Sequence, residues 1–130
     1  MKLLLDAASF LWYITADARL PAAVAEELRS ADNAVYLSAA TVWEILAKHR
    51  LGRLKLPEPP AEYIPRQRER HGILSLPIDE ASASQLNKLP SVNRDPFDRV
   101  LVCQAIEHDL AIVSGDPAIH AYPVKTLWRA

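Results

Sequence analysis

The sequence predicts an α/β fold in which a central parallel β-sheet of about five short strands is flanked by α-helices. Short apolar runs alternate with helix-forming segments along nearly the whole chain, as in strand–helix–strand units. Several of the apolar runs contain no polar residue, which is typical of strands covered on both faces. Acidic residues follow some of these runs or open a helix, and the carboxyl ends of parallel strands form the ligand-binding edge of such a sheet.

The pattern of apolar residues and turn formers predicts five strands and seven helices. We expect strands at residues 2–6, 34–37, 73–77, 110–114 and 124–127. We expect helices at residues 9–15, 21–30, 38–50, 61–71, 80–88, 96–108 and 117–122.

Local signals justify the elements of the first half of the chain. The first strand is apolar up to Asp6, and a helix is expected directly after it. Pro21 stands at the first turn of a run of strong helix formers, and Asn33 breaks the chain before the second strand. The helix that follows should end near Gly52. Its predicted inner face carries three apolar residues, Val42, Ile45 and Leu46.

Proline and aspartate mark the elements of the second half. The prolines between residues 56 and 60 set the entry into a helix and are too few to form a linker between domains. Asp95 followed by Pro96 predicts the start of the longest helix, and Asp116 followed by proline predicts another start. The long helix should turn three apolar residues inward, Val100, Leu101 and Ala105.

Length and composition set the broad class of protein. A chain of 130 residues fits a single domain, 1–130, with one core. The 15 basic residues nearly balance the 16 acidic ones, so no strong basic field indicates a nucleic-acid binder. Cys103 lies in an apolar helical run and is expected to be a buried thiol. No segment approaches the ~20 apolar residues of a membrane span, so a cytoplasmic protein is expected.

Four carboxylates occupy positions where chemistry is expected: Asp6, Glu44, Asp98 and Asp116. Each also has a structural explanation. Asp6 and Asp116 can cap helices, Asp98 can belong to the first turn of a helix capped by Asp95, and Glu44 can complete a capping box if its helix starts three residues earlier.

Their joint pattern favours a site, because capping alone does not require all of these acids to fall near one edge of a sheet. Crowded carboxylates repel one another unless a cation neutralises them. Ligands that are all oxygen atoms favour Mg²⁺ or Mn²⁺ over Zn²⁺. A divalent ion held in this way is typical of phosphate chemistry.

The order of these residues resembles that of a known family. The motif Arg-Asp-Pro-Phe-Asp-Arg at 94–99 and the motif Val-Trp-Glu-Ile at 42–45 are quite specific. Other matching segments span almost the full chain at residues 2–6, 11–12, 37–41, 51–54, 76–78 and 113–117. The chain resembles the PIN-domain ribonucleases, and among them the VapC-type toxins of bacterial toxin–antitoxin pairs.

This resemblance implies a PIN-like fold and metal-dependent endonucleolytic cleavage of RNA, with tRNA or rRNA as the expected substrate. The family's catalytic and metal-binding acids correspond to Asp6, Glu44, Asp98 and Asp116, with Mg²⁺ or Mn²⁺ as the cofactor. Ser114 corresponds to a small hydroxyl residue near the last acid. One departure bears on activity: many relatives continue the first Asp with Thr and a His or Asn, whereas this chain has two alanines, at 7 and 8.

The resemblance also implies a VapB-type antitoxin that covers the pocket by presenting an Arg, and a homodimer of the toxin. We place the antitoxin groove near Phe10, Leu11, Trp12, Tyr13, Val42 and Leu46, with ordinary core packing as the alternative. Trp12 and Trp43 are expected to be core or interface residues. Basic residues near the acids are candidates for phosphate contacts, with solvated surface as the alternative for each: Lys48, Arg50, Arg53, Arg94 and Arg99.

Two other functions are compatible with parts of the sequence. A phospho-acceptor receiver domain has a similar length and an acidic Mg²⁺ pocket, but it requires a pair of acids after the first strand and a lysine after a late strand. This chain has only Asp6 in the first place, and Lys125 lies inside a predicted strand. A catalytically inactive PIN-like module that binds RNA or antitoxin is the stronger alternative, and retention of all four acids argues against it.

Overall fold

A computed structural model of the chain describes residues 1–129. The strands are β1 Lys2–Leu5, β2 Ala34–Ser38, β3 Leu74–Leu76, β4 Ala111–Val113 and β5 Thr126–Leu127. The helices are α1 Ala7–Ile14, α2 Ala22–Arg29, α3 Ala39–Arg50, α4 Pro60–Arg70, α5 Glu80–Ser84, α6 Pro96–His108 and α7 Pro117–His120. A 3-10 helix, Gln85–Lys88, continues α5.

The five strands form one sheet in the order β3-β2-β1-β4-β5, and every pair of neighbours is parallel. The predicted parallel sheet is therefore confirmed. From β1 the chain first extends the sheet on one side through β2 and β3 and later on the other side through β4 and β5. This reversal makes β1 and β4 the point at which an open α/β sheet opens a crevice at its carboxyl edge.

The sheet is buried on both faces, as its apolar strands predict. Leu3 and Leu5 pack into one cluster with Phe10, whereas Leu4 between them packs into a second cluster with Leu101. All three leucines of β1 are fully buried, because successive side chains of a strand point to opposite faces. Burial in this way fixes β1 firmly between the two helical layers, and the carboxyl end of β1 becomes a rigid base for the residue that follows.

The helix starts agree with the caps read from the sequence, with two refinements. The side chain of Asp6 accepts the backbone N–H of Ser9 at 2.8 Å, so α1 starts at Ala7, two residues earlier than predicted. Ser38 caps α3 by accepting the N–H of Ala40 at 3.0 Å. The helix predicted at 80–88 is divided into an α-helical and a 3-10 part.

The predicted inner face of α3 was partly wrong. Its buried residues are Ala40, Thr41, Glu44 and Ile45. Leu46 is exposed, and Trp43 has 70% of its surface exposed, so Trp43 is not a core residue. The buried side of α3 therefore includes two small residues near its start, Ala40 and Thr41, and the acid Glu44.

Helix α6 contains several of the residues that were predicted to be buried, including the cysteine. On α6, Leu101 and Ala105 are buried as predicted, whereas Val100 is only half-buried. Cys103 is buried and not in a disulfide, and burial raises the pKa of its thiol. Within residues 1–129, no helix is both long and apolar enough to cross a bilayer.

Candidate active site

The four predicted acids line one cleft at the carboxyl edge of the sheet. Its volume is about 570 Å³, within the range of small-ligand sites. The lining residues are Asp6, Ala7, Ala8, Ser9, Trp12, Arg19, Glu44, Lys48, Asp95, Asp98, Gly115, Asp116 and Trp128. The cleft lies where β1 and β4 end, at the reversal of strand order.

Asp6 and Asp116 lie in the turns after β1 and β4, and both are helix N-caps. Asp6 caps α1, and the side chain of Asp116 accepts the N–H of Ala118 at 2.9 Å at the start of α7. The backbone N–H of Asp6 donates to the carbonyl of Val113 at 3.3 Å, and the buried hydroxyl of Ser9 donates to the same carbonyl at 2.9 Å. These bonds join the end of β4 to the start of α1, so the two acids are held by one connected piece of backbone.

Glu44 reaches the cleft from the middle of α3. Because α3 starts at Ala39 with Ser38 as its cap, Glu44 is more than a turn inside the helix, and the capping-box explanation is wrong. Only 9% of Glu44 is exposed. The ammonium of Lys48, one turn further along, donates to its carboxylate at 2.5 Å. The buried acid is thus neutralised by a cation of its own helix.

Asp98 reaches the cleft from the first turn of α6. Asp95 caps this helix by accepting the N–H groups of Phe97 at 2.9 Å and Asp98 at 3.4 Å. The side-chain amide of Asn93 donates to the carboxylate of Asp98 at 3.0 Å. Asp95 therefore caps the helix as predicted, and both Asp95 and Asp98 line the cleft.

Asn93 is itself held by two other residues. Its side-chain oxygen accepts the hydroxyl of Tyr122 at 2.8 Å. Its backbone carbonyl accepts two guanidinium N–H groups of Arg99, at 3.1 and 2.6 Å. Asn93 was not predicted as a site residue, and no sequence signal other than its proximity to the 94–99 motif indicates it.

The electrostatics of the cleft centre on Asp98. Its pKa is raised from 3.8 to about 6, chiefly because burial removes water from the carboxylate and next because of the negative charge of Asp95. The bond from Asn93 opposes this, whereas Asp116 and Glu44 raise the pKa further. A carboxylate surrounded by other carboxylates is the environment that a cation relieves.

The donor chemistry of the cleft fits a hard divalent cation, since carboxylate oxygens predominate and no lining residue is His or Cys. Within residues 1–129, however, no three acidic, His or Cys side chains lie close enough together to hold one ion as they stand. Each of the four acids is instead bonded to a group on its own or an adjoining segment.

The basic residues proposed for phosphate contacts are spread over the surface. Lys48 lines the cleft, whereas Arg53 lines a neighbouring groove. Arg99 lines a third groove on the other side of α6 and is bonded to Asn93. Two others are exposed outside the lining, Arg50 and Arg94.

Ser114 is fully buried, so its hydroxyl lies behind the cleft wall. This hydroxyl accepts the N–H of Asp116 at 3.0 Å, and the Ser114 carbonyl is 2.6 Å from Nε2 of His120. In this position Ser114 shapes the turn that carries Asp116.

Arg19, Gly115 and Trp128 also line the cleft although none was predicted as a site residue. Gly115 lies inside a matching motif, which is a signal that was available. Arg19 and Trp128 lie far from the motifs along the chain, and only folding brings them to the acids.

Only some of the residues predicted to form the antitoxin groove line a groove in the structure. Phe10 is a fully buried core residue. Leu11 and Trp12 do line a groove of about 550 Å³ next to the cleft, together with residues 53–57 and Tyr63. Val42 and Leu46 are not among the residues that line it.

Comparisons with known proteins agree with this architecture. A family model described as the PIN domain matches residues 3–125. Among curated proteins, Ribonuclease VapC16 from Mycobacterium tuberculosis is 42% identical over 59 residues, which are 45% of this chain and 40% of that protein. The similarity therefore spans less than half of the length of this relative.

Solved structures share the fold at low sequence identity. The structure of VapBC2 from Rickettsia felis bound to a DNA fragment from their promoter has a TM-score of 0.74 at 14% identity, covering 99% of this chain and 100% of that one. VapBC-1 from nontypeable Haemophilus influenzae has a TM-score of 0.67 at 17% identity, covering 92% and 90%. FitAcB from Neisseria gonorrhoeae has a TM-score of 0.59 at 21% identity, covering 96% of each chain.

Proposed function

This chain belongs to the PIN domain family, and on that basis we propose that it is a metal-dependent endoribonuclease, the toxin of a VapBC-type toxin–antitoxin pair. Its substrate is RNA, with tRNA and rRNA as the first candidates, and its cofactor is Mg²⁺ or Mn²⁺. The observation that supports this proposal most is the cleft at the reversal of strand order. Four acids line it, Asp6, Glu44, Asp98 and Asp116. The name of the relative VapC16 agrees with the same activity.

Each acid has a proposed task that follows from its surroundings. Asp6 and Asp116 are fixed by the turns after β1 and β4 and, with Asp98, would hold the ion. Glu44 would complete the ligand set or orient the attacking water. A bound divalent ion would supply charge neutralisation of the scissile phosphate and acidification of water.

The remaining cleft residues prepare the site for that ion. Asn93 keeps the carboxylate of Asp98 turned toward the cleft by its bond at 3.0 Å. Lys48 neutralises Glu44 in the free protein, and its ammonium lies in the cleft lining, where it could also bind a phosphate oxygen. The two alanines at 7 and 8 place no hydroxyl at the first two positions of α1, and the hydroxyl of Ser9, the next residue, donates to the carbonyl of Val113.

We assign the partner surfaces to two different parts of the molecule. The groove beside the cleft, lined by Leu11, Trp12 and Tyr63 among others, is the proposed binding place of a VapB-type antitoxin. It shares Arg19 and Lys48 with the cleft, so one extended segment can cover both. The homodimer is proposed from the family resemblance, and its surface is placed away from the cleft, where large apolar side chains such as Leu74 and Leu86 are exposed.

The activity is tested with purified protein, freed of antitoxin, and total cellular RNA in Mg²⁺ or Mn²⁺. Discrete fragments are expected, and they should disappear with EDTA and in Asp98→Asn or Asp116→Asn. Asp79→Asn is the matched control, because Asp79 caps α5 as Asp116 caps α7 but lies outside the cleft. Intact RNA with a folded, ion-binding protein would favour the inactive PIN-like module instead.

A further inference from the structure

We infer that Trp12 and Trp128 form a base-binding subsite of the acidic cleft, which holds a nucleobase of single-stranded RNA beside the scissile phosphate. Arg19 completes this subsite. The inference rests on the proposed ribonuclease function and adds the part of the substrate that the protein reads next to the bond it cuts.

The two indoles share the cleft with the acids. Trp12 on α1 and Trp128, just after β5, both line it and are half-buried. Their ring centroids are 6.3 Å apart with planes inclined at 50°. The guanidinium of Arg19 lies 5.1 Å from the ring centroid of Trp12. Half-buried aromatic rings and an arginine beside a phosphate site are the groups on which single-stranded nucleic acids stack their bases.

Gly115 provides independent evidence that the ring of Trp128 is built into the site. A Cβ at Gly115 would lie 2.6 Å from Cε2, 2.8 Å from Cζ2 and 2.9 Å from Nε1 of Trp128. These distances are too short for any side chain, so the indole lies directly against the turn that carries Asp116. A base stacked on this ring is thereby held at a fixed place relative to one of the acids.

The charge of the cleft shows why an uncharged contact is needed there. Its lining contains five acids and two bases, which leaves a formal charge of −3. Both bases are paired, Arg19 with Asp17 at 2.8 Å and Lys48 with Glu44 at 2.5 Å. A polyanion is repelled by such a site until cations enter. Stacking supplies attraction that does not depend on charge, and it is sequence-tolerant because every base has an aromatic face.

The occupant is RNA rather than a peptide because of where the rings lie. The scissile phosphate must come within reach of Asp116, and the base attached to that phosphate or to its neighbour then falls on the wall formed by Gly115 and Trp128. A peptide has no such constraint and can be accommodated by the neighbouring groove, whose lining includes Trp12 but not Trp128.

The test measures RNA binding without cleavage. The chain keeps its native acids, and Ca²⁺ replaces Mg²⁺ so that a cation can bind the carboxylates without supporting cleavage. The probe is a pool of random-sequence 12-nucleotide single-stranded RNA, which is checked on a gel to be intact after the measurement. Affinity is measured by polarisation of labelled RNA. Quenching of indole fluorescence is followed in a Trp43→Phe background, which leaves the two cleft tryptophans as the only indoles. Trp43 is a suitable control because it is 70% exposed and outside the cleft.

We expect saturable quenching and weaker binding in variants that remove the ring. Trp128→Leu should raise the Kd about 5- to 100-fold, the usual effect of losing one stacked base. Trp128→Phe should keep most of the affinity, Gly115→Ala should lose part of it by displacing the indole, and Trp43→Leu should change nothing.

An unchanged Kd in a folded Trp128→Leu protein would overturn the inference and leave the rings to a peptide. If this variant does not fold, absence of quenching in the protein that keeps Trp128 would overturn it equally.

Failure of the proposed function gives a different result. Cleavage of cellular RNA is scored separately on a chain with the native acids. If Trp128→Leu cleaves RNA as efficiently as the parent chain, the subsite is refuted and the ribonuclease proposal stands. If RNA quenches the indoles and its binding depends on the Trp128 ring, but no RNA is cleaved, the ribonuclease proposal is refuted and the subsite stands.

Discussion

Replacing Asp98 by asparagine should stabilise the ion-free protein while abolishing the proposed activity. In the folded chain this carboxyl is half-buried and faces the negative charges of Asp95, Asp116 and Glu44. Asparagine has nearly the same shape, carries no charge and can still accept the bond from Asn93 through its side-chain oxygen. The substitution therefore removes a repulsion and keeps the local contacts.

The magnitude follows from the pKa of Asp98, which is raised from 3.8 to about 6. An acid whose pKa is higher in the folded than in the unfolded protein costs stability when it ionises, so the free energy of unfolding should fall as the pH rises from about 4 to about 6. A shift of this size corresponds to ~3 kcal/mol. Because the side chain is partly solvated and its charge is screened, we expect about 1 to 2 kcal/mol at neutral pH.

Urea unfolding in EDTA, measured between pH 4 and pH 8, tests this prediction. Asp98→Asn should be more stable than the parent chain at pH 7 and indistinguishable from it near pH 4. Asp79→Asn is the control of opposite sign, because hydrogen bonds from Ser82 first, and then His108, lower the pKa of Asp79. Its loss of stability should therefore be present throughout pH 4 to pH 8, and it should fade only when the pH falls further, through the lowered pKa of Asp79.

Addition of Mg²⁺ gives a second measurement on the same variant. An ion that binds only the folded protein raises its stability. It should stabilise the parent chain and have much less effect on Asp98→Asn. The reasoning is refuted if Asp98→Asn is the less stable protein at pH 7, or if its pH dependence matches that of the parent chain.

Three more predictions concern residues around the cleft. Lys48→Gln leaves the buried carboxylate of Glu44 without its ion pair. The free energy of unfolding, measured with urea in EDTA, should therefore fall by about 1 to 3 kcal/mol. No change would mean that the ion pair is fully solvated. Asn93→Ala removes the hydrogen bond that opposes the rise in the pKa of Asp98. The pKa of Asp98, titrated by NMR, should therefore be higher in this variant than in the parent chain. A lower value would contradict the hydrogen bond assigned to Asn93. The thiol of Cys103 is nearly buried at the wall of the groove beside Arg99, and burial raises its pKa. A thiol reagent should therefore label the folded protein much more slowly than the urea-unfolded chain at the same pH, and equal rates would contradict this assignment.

Much of the fold could be predicted because its signals are local. A continuously apolar run such as 2–5 indicates a doubly covered strand, and Asp95 followed by proline indicates a helix start, whatever the rest of the chain does. The five strands and the caps of α1, α6 and α7 were confirmed for this reason. The division of 80–88 and the exposed Trp43 were not foreseen, because periodicity alone does not say which side of a helix meets the core.

The candidate site was predictable only as a set of acids. Sequence order and the family resemblance named Asp6, Glu44, Asp98 and Asp116, and the structure brings these four to one cleft. Their roles as catalytic and metal-binding residues stay a prediction. The basic residues were chosen by proximity along the chain, and folding separated Arg53 and Arg99 from the cleft.

By itself the sequence determined the kind and order of the elements and the acids at their ends, because hydrogen bonding and apolar periodicity act over a few residues. Only the tertiary structure decided which ends became neighbours, since the position of β1 between β2 and β4 brings Asp6 beside Asp116. It also brought Tyr122 to Asn93 and packed Trp128 against Gly115. Contacts of this kind join residues far apart along the chain or depend on the rotation of a helix, and they are set by packing of the whole molecule rather than by any local pattern.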